Sequence, residues 1–221
     1  MKKFWNALIE FLKKVLKQVA ASQPPISVIT NPLPQVIKTC PATVGEYEAK
    51  YKAAQIRPEN LVLVKNRAEY LAKFRVTFYQ PIADAVGCPW WVPALIHNQE
   101  CGSDVGLFKA CLHNGERIIG TSKKTTIVPI GKGPFTSFVE AGIDALKSDK
   151  NFSSVTDIGS ALLAFEKYNG LGYRNHNVST PYLWAMTDQY IKGHYVGDHN
   201  FDPNAVSKNF GIVSVMKCLG L

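Results

Sequence analysis

Trp90-Trp91-Val92-Pro93-Ala94-Leu95-Ile96-His97-Asn98-Gln99-Glu100-Cys101-Gly102-Ser103-Asp104 decides how the chain is read. It opens on Trp90, Trp91, Val92, Leu95 and Ile96 and closes on His97, Asn98, Glu100 and Asp104. Trp91, Leu95 and, loosely, Asn98 fall on one helical face. Pro93 suits a first helical turn, where a missing N–H breaks no bond. Gly102 and Ser103 then signal a stop. The spacing predicts a short, mostly buried helix that delivers one carboxylate, Glu100, to the point where the helix breaks. Desolvation raises the pKa of a carboxyl group at the edge of an aromatic core, which suits it to general-acid chemistry.

Upstream of this stretch the pattern is helical. Residues 46–55 form one expected helix with Tyr47 and Tyr51 in step. A second starts at Arg57-Pro58-Glu59-Asn60 and carries an apolar stripe of Leu61, Val64, Ala68, Leu71, Phe74 and Phe78 as far as Tyr79. Residues 81–85 read as a short turn or helix, and Gly87-Cys88-Pro89 breaks the chain. Downstream, Asn114-Gly115 within residues 111–116 is a hairpin signal. Residues 125–129 are β-prone and end at Gly131-Lys132-Gly133-Pro134. A small, irregular β-region, a wing, is therefore expected directly after Glu100. Helix is expected again over residues 136–147, 155–168, 181–192 and 203–219. The class is mainly α (α+β).

Residues 1–21 read as a separate unit. Phe4, Trp5, Leu8, Phe11, Leu12, Val15, Leu16 and Val19 recur at helical spacing, and five lysines against Glu10 leave +4, half of the chain's +8. Such a basic amphipathic helix fits an anionic membrane surface, and equally a helix docked on protein. A signal peptide is not expected. Met1-Lys2-Lys3 and Val19-Ala20-Ala21 suit one, but Glu10, Lys13 and Lys14 interrupt the apolar stretch. Residues 22–42, with Pro24, Pro25, Pro32, Pro34 and Pro41, read as a Pro-rich linker. Residues 43–221 form the remaining domain.

With 46% hydrophobic and 11% aromatic residues the chain can build a core, so bulk disorder is excluded. The net charge points to an acidic partner. No run of Lys/Arg interleaved with aromatics suggests a nucleic-acid groove, so nucleic acid is not the expected partner. No apolar run is long enough to span a bilayer. Five cysteines without a CxxC argue against a disulfide framework and favour buried thiols. Cys88, His97, Cys101, Cys111 and His113 lack standard ligand spacing, so no metal is expected.

The second chemical feature is Glu166-Lys167-Tyr168-Asn169-Gly170-Leu171-Gly172-Tyr173-Arg174, a helix end followed by a glycine turn. Such a turn presents flat aromatic faces and amides, which sugars need for stacking and hydrogen bonding. A plain helix C-cap uses the same residues. Pro181-Tyr182-Leu183-Trp184 extends the same wall, with core packing the default for Trp184.

Five motifs together resemble a lysozyme-like family of phage-type and bacterial peptidoglycan-degrading proteins. They are His97-Asn98-Gln99-Glu100, Leu112-His113-Asn114-Gly115-Glu116, Tyr168-Asn169-Gly170-Leu171-Gly172-Tyr173-Arg174, Ser179-Thr180-Pro181-Tyr182-Leu183-Trp184 and Asp202-Pro203-Asn204-Ala205-Val206-Ser207. The order of Glu, β-wing and Tyr-Asn is similar to soluble lytic transglycosylases and goose-type lysozymes. The resemblance covers roughly residues 45–221. It departs from the transglycosylase pattern where Cys101 follows Glu100 in place of serine, and where Tyr168-Asn169-Gly170-Leu171 stands for Tyr-Asn-Ala-Gly. It implies a lysozyme-like helical domain that cleaves the bond between N-acetylmuramic acid and N-acetylglucosamine, with Glu100 as acid and no cofactor. A hydrolase needs a second carboxylate, for which Asp104 is nearest in sequence and Glu116 and Asp198 are weaker alternatives; Asp104 equally reads as a turn cap. A lytic transglycosylase needs none. His97, Ser103, His113, Asn114, Tyr168, Asn169, Tyr173 and Tyr182 are the expected substrate-binding residues. The expected partner is peptidoglycan, met by a monomer made in the cytoplasm and acting on the periplasmic side or the cell wall. Two other classes compete: a non-catalytic glycan-binding module of the same fold, and a membrane-active protein working through residues 1–20.

Overall fold

A computed structural model describes residues 40–102 and 108–221. The chain divides into two units, Met1–Gln35 and Val36–Leu221, and the described residues all belong to the second. The amphipathic segment, most of the Pro-rich linker, Ser103 and Asp104 lie outside the described residues.

Local chemistry starts the first helix, α1 (Val44–Ala53): the Thr43 hydroxyl accepts from the Glu46 N–H, and the Glu46 carboxylate accepts from Thr43 and Ala42 N–H. Tyr47 and Tyr51 are buried, as their spacing predicts. The expected long second helix divides in two. Helix α2 (Leu61–Lys73) buries Val64, Ala68 and Leu71 and stops at Phe74; the chain then widens into a π-helical turn, Arg75–Tyr79, before α3 (Gln80–Val86). Pro81 accounts for the widening. It has no N–H for the Thr77 carbonyl, and its ring crowds the preceding turn. One result is that Tyr79 is fully enclosed and reaches His97.

Helix α4 (Trp91–Cys101) buries Trp91, Val92, Pro93, Ala94, Leu95, Ile96, His97, Asn98 and Cys101, leaving Gln99 and Glu100 as its partly exposed side chains. It is apolar nearly all round, so it needs neighbours on every side. The π-turn, α3, and α8 (Ile212–Leu219) supply them, with Phe165 of α6 (Ile158–Asn169) against Trp91. Helix α5 (Phe138–Ser148) lies on α3, and α6 lies on α1. Both begin at capped N-termini, through Ser137 and Asp157 respectively.

Three expectations are corrected. Residues 111–137 hold no regular strand. Asn114-Gly115 does turn the chain, with Gly115 N–H to Cys111 O at 3.0 Å and Cys111 N–H to Glu116 O at 2.9 Å. The Glu116 carboxylate, however, takes the N–H groups of Thr126 and Ile127 that a ladder would use. The wing is thus a loop lobe, tied by the Glu116 carboxylate together with the Asn114 amide, the Thr125 hydroxyl and a few backbone bonds such as Gly120 N–H to Phe135 O at 2.8 Å. The two-stranded antiparallel sheet lies instead at β1 (His194–Gly197) and β2 (Asn200–Asp202), with Tyr195 opposite Phe201. The helix expected over residues 181–192 is only α7 (Pro181–Trp184), after which Met186 turns to φ +64°. Of the helix expected over residues 203–219 only α8 forms: Asp202 Oδ1 accepts from Asn204 N–H at 2.8 Å, but the chain makes only a turn there and runs as loop to Gly211. The architecture is mainly helical with one small antiparallel sheet.

No disulfide joins the five cysteines, of which Cys101 and Cys111 are buried. Among the described residues no helix is long and apolar enough to cross a membrane.

One buried charge cluster fastens α1, α6 and the turn after α6. Glu166, 1% exposed, accepts from the Tyr47 hydroxyl and from Arg174 Nε at 3.1 Å, while Arg174 also donates to Tyr47. Beside it Lys50 donates to Ser179 at 2.6 Å and lies over the Trp184 ring. Removing one partner of a buried pair leaves the other charge unmatched. Arg174→Met is expected to destabilise the fold by about 3 kcal/mol in urea denaturation. Glu166→Gln combined with Arg174→Met is expected to recover part of that loss, whereas a purely steric role for Arg174 predicts no recovery.

Candidate functional site

Glu100 is the penultimate residue of α4, and its partly exposed carboxyl lines a cavity of about 480 Å³. Two bonds fix the last turn of α4 to α7. The Tyr182 hydroxyl donates to Glu100 Oε1 at 2.9 Å, and Gln99 Nε2 donates to Tyr182 O at 3.0 Å and to Phe210 O at 2.6 Å. Thr180 and Pro181 start α7 and so place Tyr182. Burial pushes the Glu100 carboxyl up to about 7, and the Tyr182 hydrogen bond opposes this only in part. Near neutral pH the group is therefore divided between acid and carboxylate, the condition for giving and retaking a proton.

The expected residues separate into three groups. His113, Tyr168 and Asn169 share the cavity with Glu100. His113 is its enclosed floor: the ring stacks on Phe135, Nε2 meets Asp144 at 2.8 Å, and burial lowers its pKa. The Tyr168 hydroxyl is committed to Leu112 O at 2.7 Å, so this residue offers its ring. Asn169, the exposed last residue of α6, also lines an adjoining cavity of about 90 Å³ together with Tyr173 and Tyr182. The Tyr173 hydroxyl is taken up by His194 and the Tyr195 N–H.

The second group is displaced. His97 is fully buried among Tyr79, Phe108 and Phe138, with Nδ1 2.9 Å from the Tyr79 hydroxyl. Desolvation first, and the Arg67 charge second, lower its pKa to about 3, so it is a neutral core histidine that cannot reach a ligand. The Asn114 amide is spent inside the loop lobe, donating to Glu116 and Ile127 O and accepting from the Glu116 N–H. Glu116, proposed as a weaker second carboxylate, is held down to about 2 by the Thr126 hydroxyl and neighbouring N–H groups. Asp198 lies exposed in the β1–β2 turn. Asp104 and Ser103, the third group, are outside the described residues.

One carboxylate was missed. Asp149, just after α5, lines the Glu100 cavity and is oriented by bonds from Asn151 N at 2.9 Å and Nδ2 at 2.6 Å. Its sequence signal was the Asp-x-Asn turn closing a helix, which says nothing about which cavity it faces. Lys150 and Lys167 give the same cavity a cationic rim. Glycine at position 115 ties the lobe to the site: at φ +77°, a Cβ there would overlap the Glu100 carbonyl oxygen.

The raised Glu100 pKa carries a stability consequence. The unfolded carboxyl titrates near 4.5, so between about 4.5 and 7 the folded form holds the extra proton and stability falls as pH rises. Glu100→Gln removes this penalty. Its stability relative to the parent chain is expected to improve from pH 4 to pH 8 by up to about 3 kcal/mol, measured as paired urea midpoints; a constant difference across that range excludes a raised pKa.

Comparison with known proteins found no matching family model, no matching curated protein and no matching solved structure.

Proposed function

We propose that the protein cleaves peptidoglycan glycan strands, with Glu100 as the general acid and base. The observation that carries this reading is the Glu100 carboxyl itself: raised to about 7, gripped by Tyr182, and open to a cavity walled by Tyr168 and Asn169. The chemistry follows from that state. Protonated Glu100 gives its proton to the glycosidic oxygen as the sugar C1–O bond breaks, and the bonding pair stays on the departing oxygen. In a lytic transglycosylase the resulting Glu100 carboxylate then takes the proton of the nucleophile. That nucleophile is the sugar's own 6-hydroxyl, and no second carboxylate is required. In an inverting hydrolase a second carboxylate activates water, and Asp149 joins Asp104 as a candidate. The cationic rim of Lys150 and Lys167 suits an anionic polymer. The lysozyme-like resemblance of residues 45–221 points the same way.

Glu100→Gln keeps the size and the Tyr182 contact but cannot give up a proton. It is expected to lower peptidoglycan clearing in a zymogram by about 10²–10⁴-fold while strand binding persists. Unchanged clearing removes Glu100 from the chemistry, and no clearing by the parent chain favours a binding module. Mass spectrometry of the products assigns the route, anhydro-muramic ends to transglycosylation and reducing ends to hydrolysis.

Tyr182 acts through Glu100, as a positioning residue. Its hydrogen bond lowers the Glu100 pKa, so Tyr182→Phe raises it further. The alkaline limb of the kcat/KM profile, where the acid form is lost, is expected to move to higher pH, with kcat down about tenfold. A lower kcat on an unmoved profile contradicts the assignment.

A further inference from the structure

The loop lobe carries an apolar tip. Buried Thr125 closes its neck, with the Thr125 N–H donating to Lys132 O and the Lys132 N–H to Thr125 Oγ1, both at 2.9 Å. Gly131 N–H adds a bond to Thr125 O at 2.9 Å. Residues 126–131 therefore stand out as a closed loop. Its aliphatic side chains are left in water: Ile127 is 59%, Val128 76% and Ile130 73% exposed. Val128 and Pro129 border the Glu100 cavity, whereas Ile127 and Ile130 do not line it. Single apolar residues scattered over a surface are ordinary, but neighbours fixed on one projection mark a contact surface.

Three features select the partner. Residues 116–132 set Arg117, Lys123, Lys124 and Lys132 against Glu116 alone, four cations to one anion, a net charge of +3. Lys123 and Lys124 are exposed and among the described residues make no ion pair, while Lys132 is matched by Asp144 at 3.1 Å. Second, residues 127–130 have no aromatic ring, amide or hydroxyl side chain, so the tip offers a sugar nothing to stack on or bond to. Third, much of the tip's backbone is paired before any partner arrives. Ile127 N–H donates to Glu116, and the Ile127 and Val128 carbonyls accept from Asn114 Nδ2 at 3.0 and 3.4 Å. Pro129 has no N–H, and its carbonyl accepts from the Thr125 hydroxyl. Each unpaired backbone group is penalised in hydrocarbon, so a tip paired in advance fits that medium. Lysines beside an aliphatic wedge suit anionic headgroups over an acyl layer.

We infer that residues 127–130 form a wedge that enters the surface of an anionic lipid bilayer, with Lys123 and Lys124 on the headgroups. The contact is shallow and reversible, since three aliphatic side chains and two lysines fall short of a stable anchor. This surface is independent of the Glu100 chemistry, and of residues 1–21, whose own pattern also suits a membrane.

The test uses the full chain with nanodiscs of mixed phosphatidylcholine and phosphatidylglycerol, and with nanodiscs of phosphatidylcholine alone. Methyl ¹H–¹³C spectra are recorded with and without a spin label on the lipid acyl chains. The Ile127, Val128 and Ile130 methyls are expected to broaden in the anionic discs, while those of Val62 and Val196, also exposed, stay sharp. Ile127→Ser combined with Ile130→Ser is expected to weaken binding to the anionic discs at least tenfold, by roughly the transfer energy of two aliphatic side chains. Lys123→Gln combined with Lys124→Gln is expected to weaken it by roughly tenfold at low salt, with the difference lost at high salt. The methyl readout of the parent chain decides even where a variant is destabilised. Tip methyls that stay sharp while the chain binds the discs assign the contact to another segment and overturn the wedge. Absence of binding overturns it too, as does equal broadening in neutral and anionic discs. Tip methyls that ignore lipid but shift with protein concentration assign the face to a second copy of the chain, which also overturns the wedge.

Discussion

A helix that is apolar nearly all round persists in water only when other elements enclose it, and α4 imposes that demand on the whole described domain. The π-turn, α3, α6 and α8 meet it from different directions. The same enclosure sets the protonation state of Glu100. Glu100 stands where the enclosure ends, close enough to the core for desolvation to raise its pKa and open enough to meet a ligand. Core burial and a carboxyl of raised pKa are thus one physical fact with opposite effects on stability: the apolar turns of α4 gain from leaving water, and the charged form of its last turn loses.

Polar side chains, more than regular strands, hold the surroundings of that last turn. Gln99 and Glu100 both bond to Tyr182, one at its carbonyl and the other at its hydroxyl, so α7 is fixed to α4 at two points. Across the cavity the Glu116 carboxylate gathers Thr126, Ile127 and Asn114 into a lobe, and Gly115 lets that lobe reach the Glu100 backbone. A strand ladder would satisfy the same N–H groups, but it would also impose a pleat and a twist. Side-chain bonds from Glu116, Asn114 and Thr125 instead leave Val128 and Pro129 on the cavity rim.

What could be read in the sequence follows the range of the interactions involved. The bounds of α1, α4, α5 and α6 depend on local spacing and caps such as Thr43 with Glu46, and they lie within a few residues of expectation. The placement of Glu100 at a helix end depended on Gly102, which is local as well. The fate of His97 was not readable, because Phe108 and Phe138, which bury it, come from loops and helices that follow the site. Asn114-Gly115 signalled a turn correctly but could not show that Glu116 would take the strand's hydrogen bonds. Pro81 did carry the signal for the break in the long helix, since a missing N–H and a crowding ring act on the turn before it. Asp149 shares a cavity with Glu100 only through the packing of α5, which no spacing in the sequence encodes.

Two desolvated carboxylates on packed helices, Glu166 buried and Glu100 partly exposed, show how pairing sets the state of each. Glu166 has Arg174 and the Tyr47 hydroxyl as partners, so its charge is matched where it stands. Glu100 has a neutral hydroxyl and, among the described residues, no ion pair. With no cation in contact, the way to relieve its desolvation is to hold a proton, and a proton held near neutral pH can be transferred. The lysines on the cavity rim do not undo this, since they stand at its solvent edge and are screened by water. Pairing, rather than burial alone, therefore distinguishes the two residues, and it selects Glu100 from the same geometry that makes Glu166 a fastening.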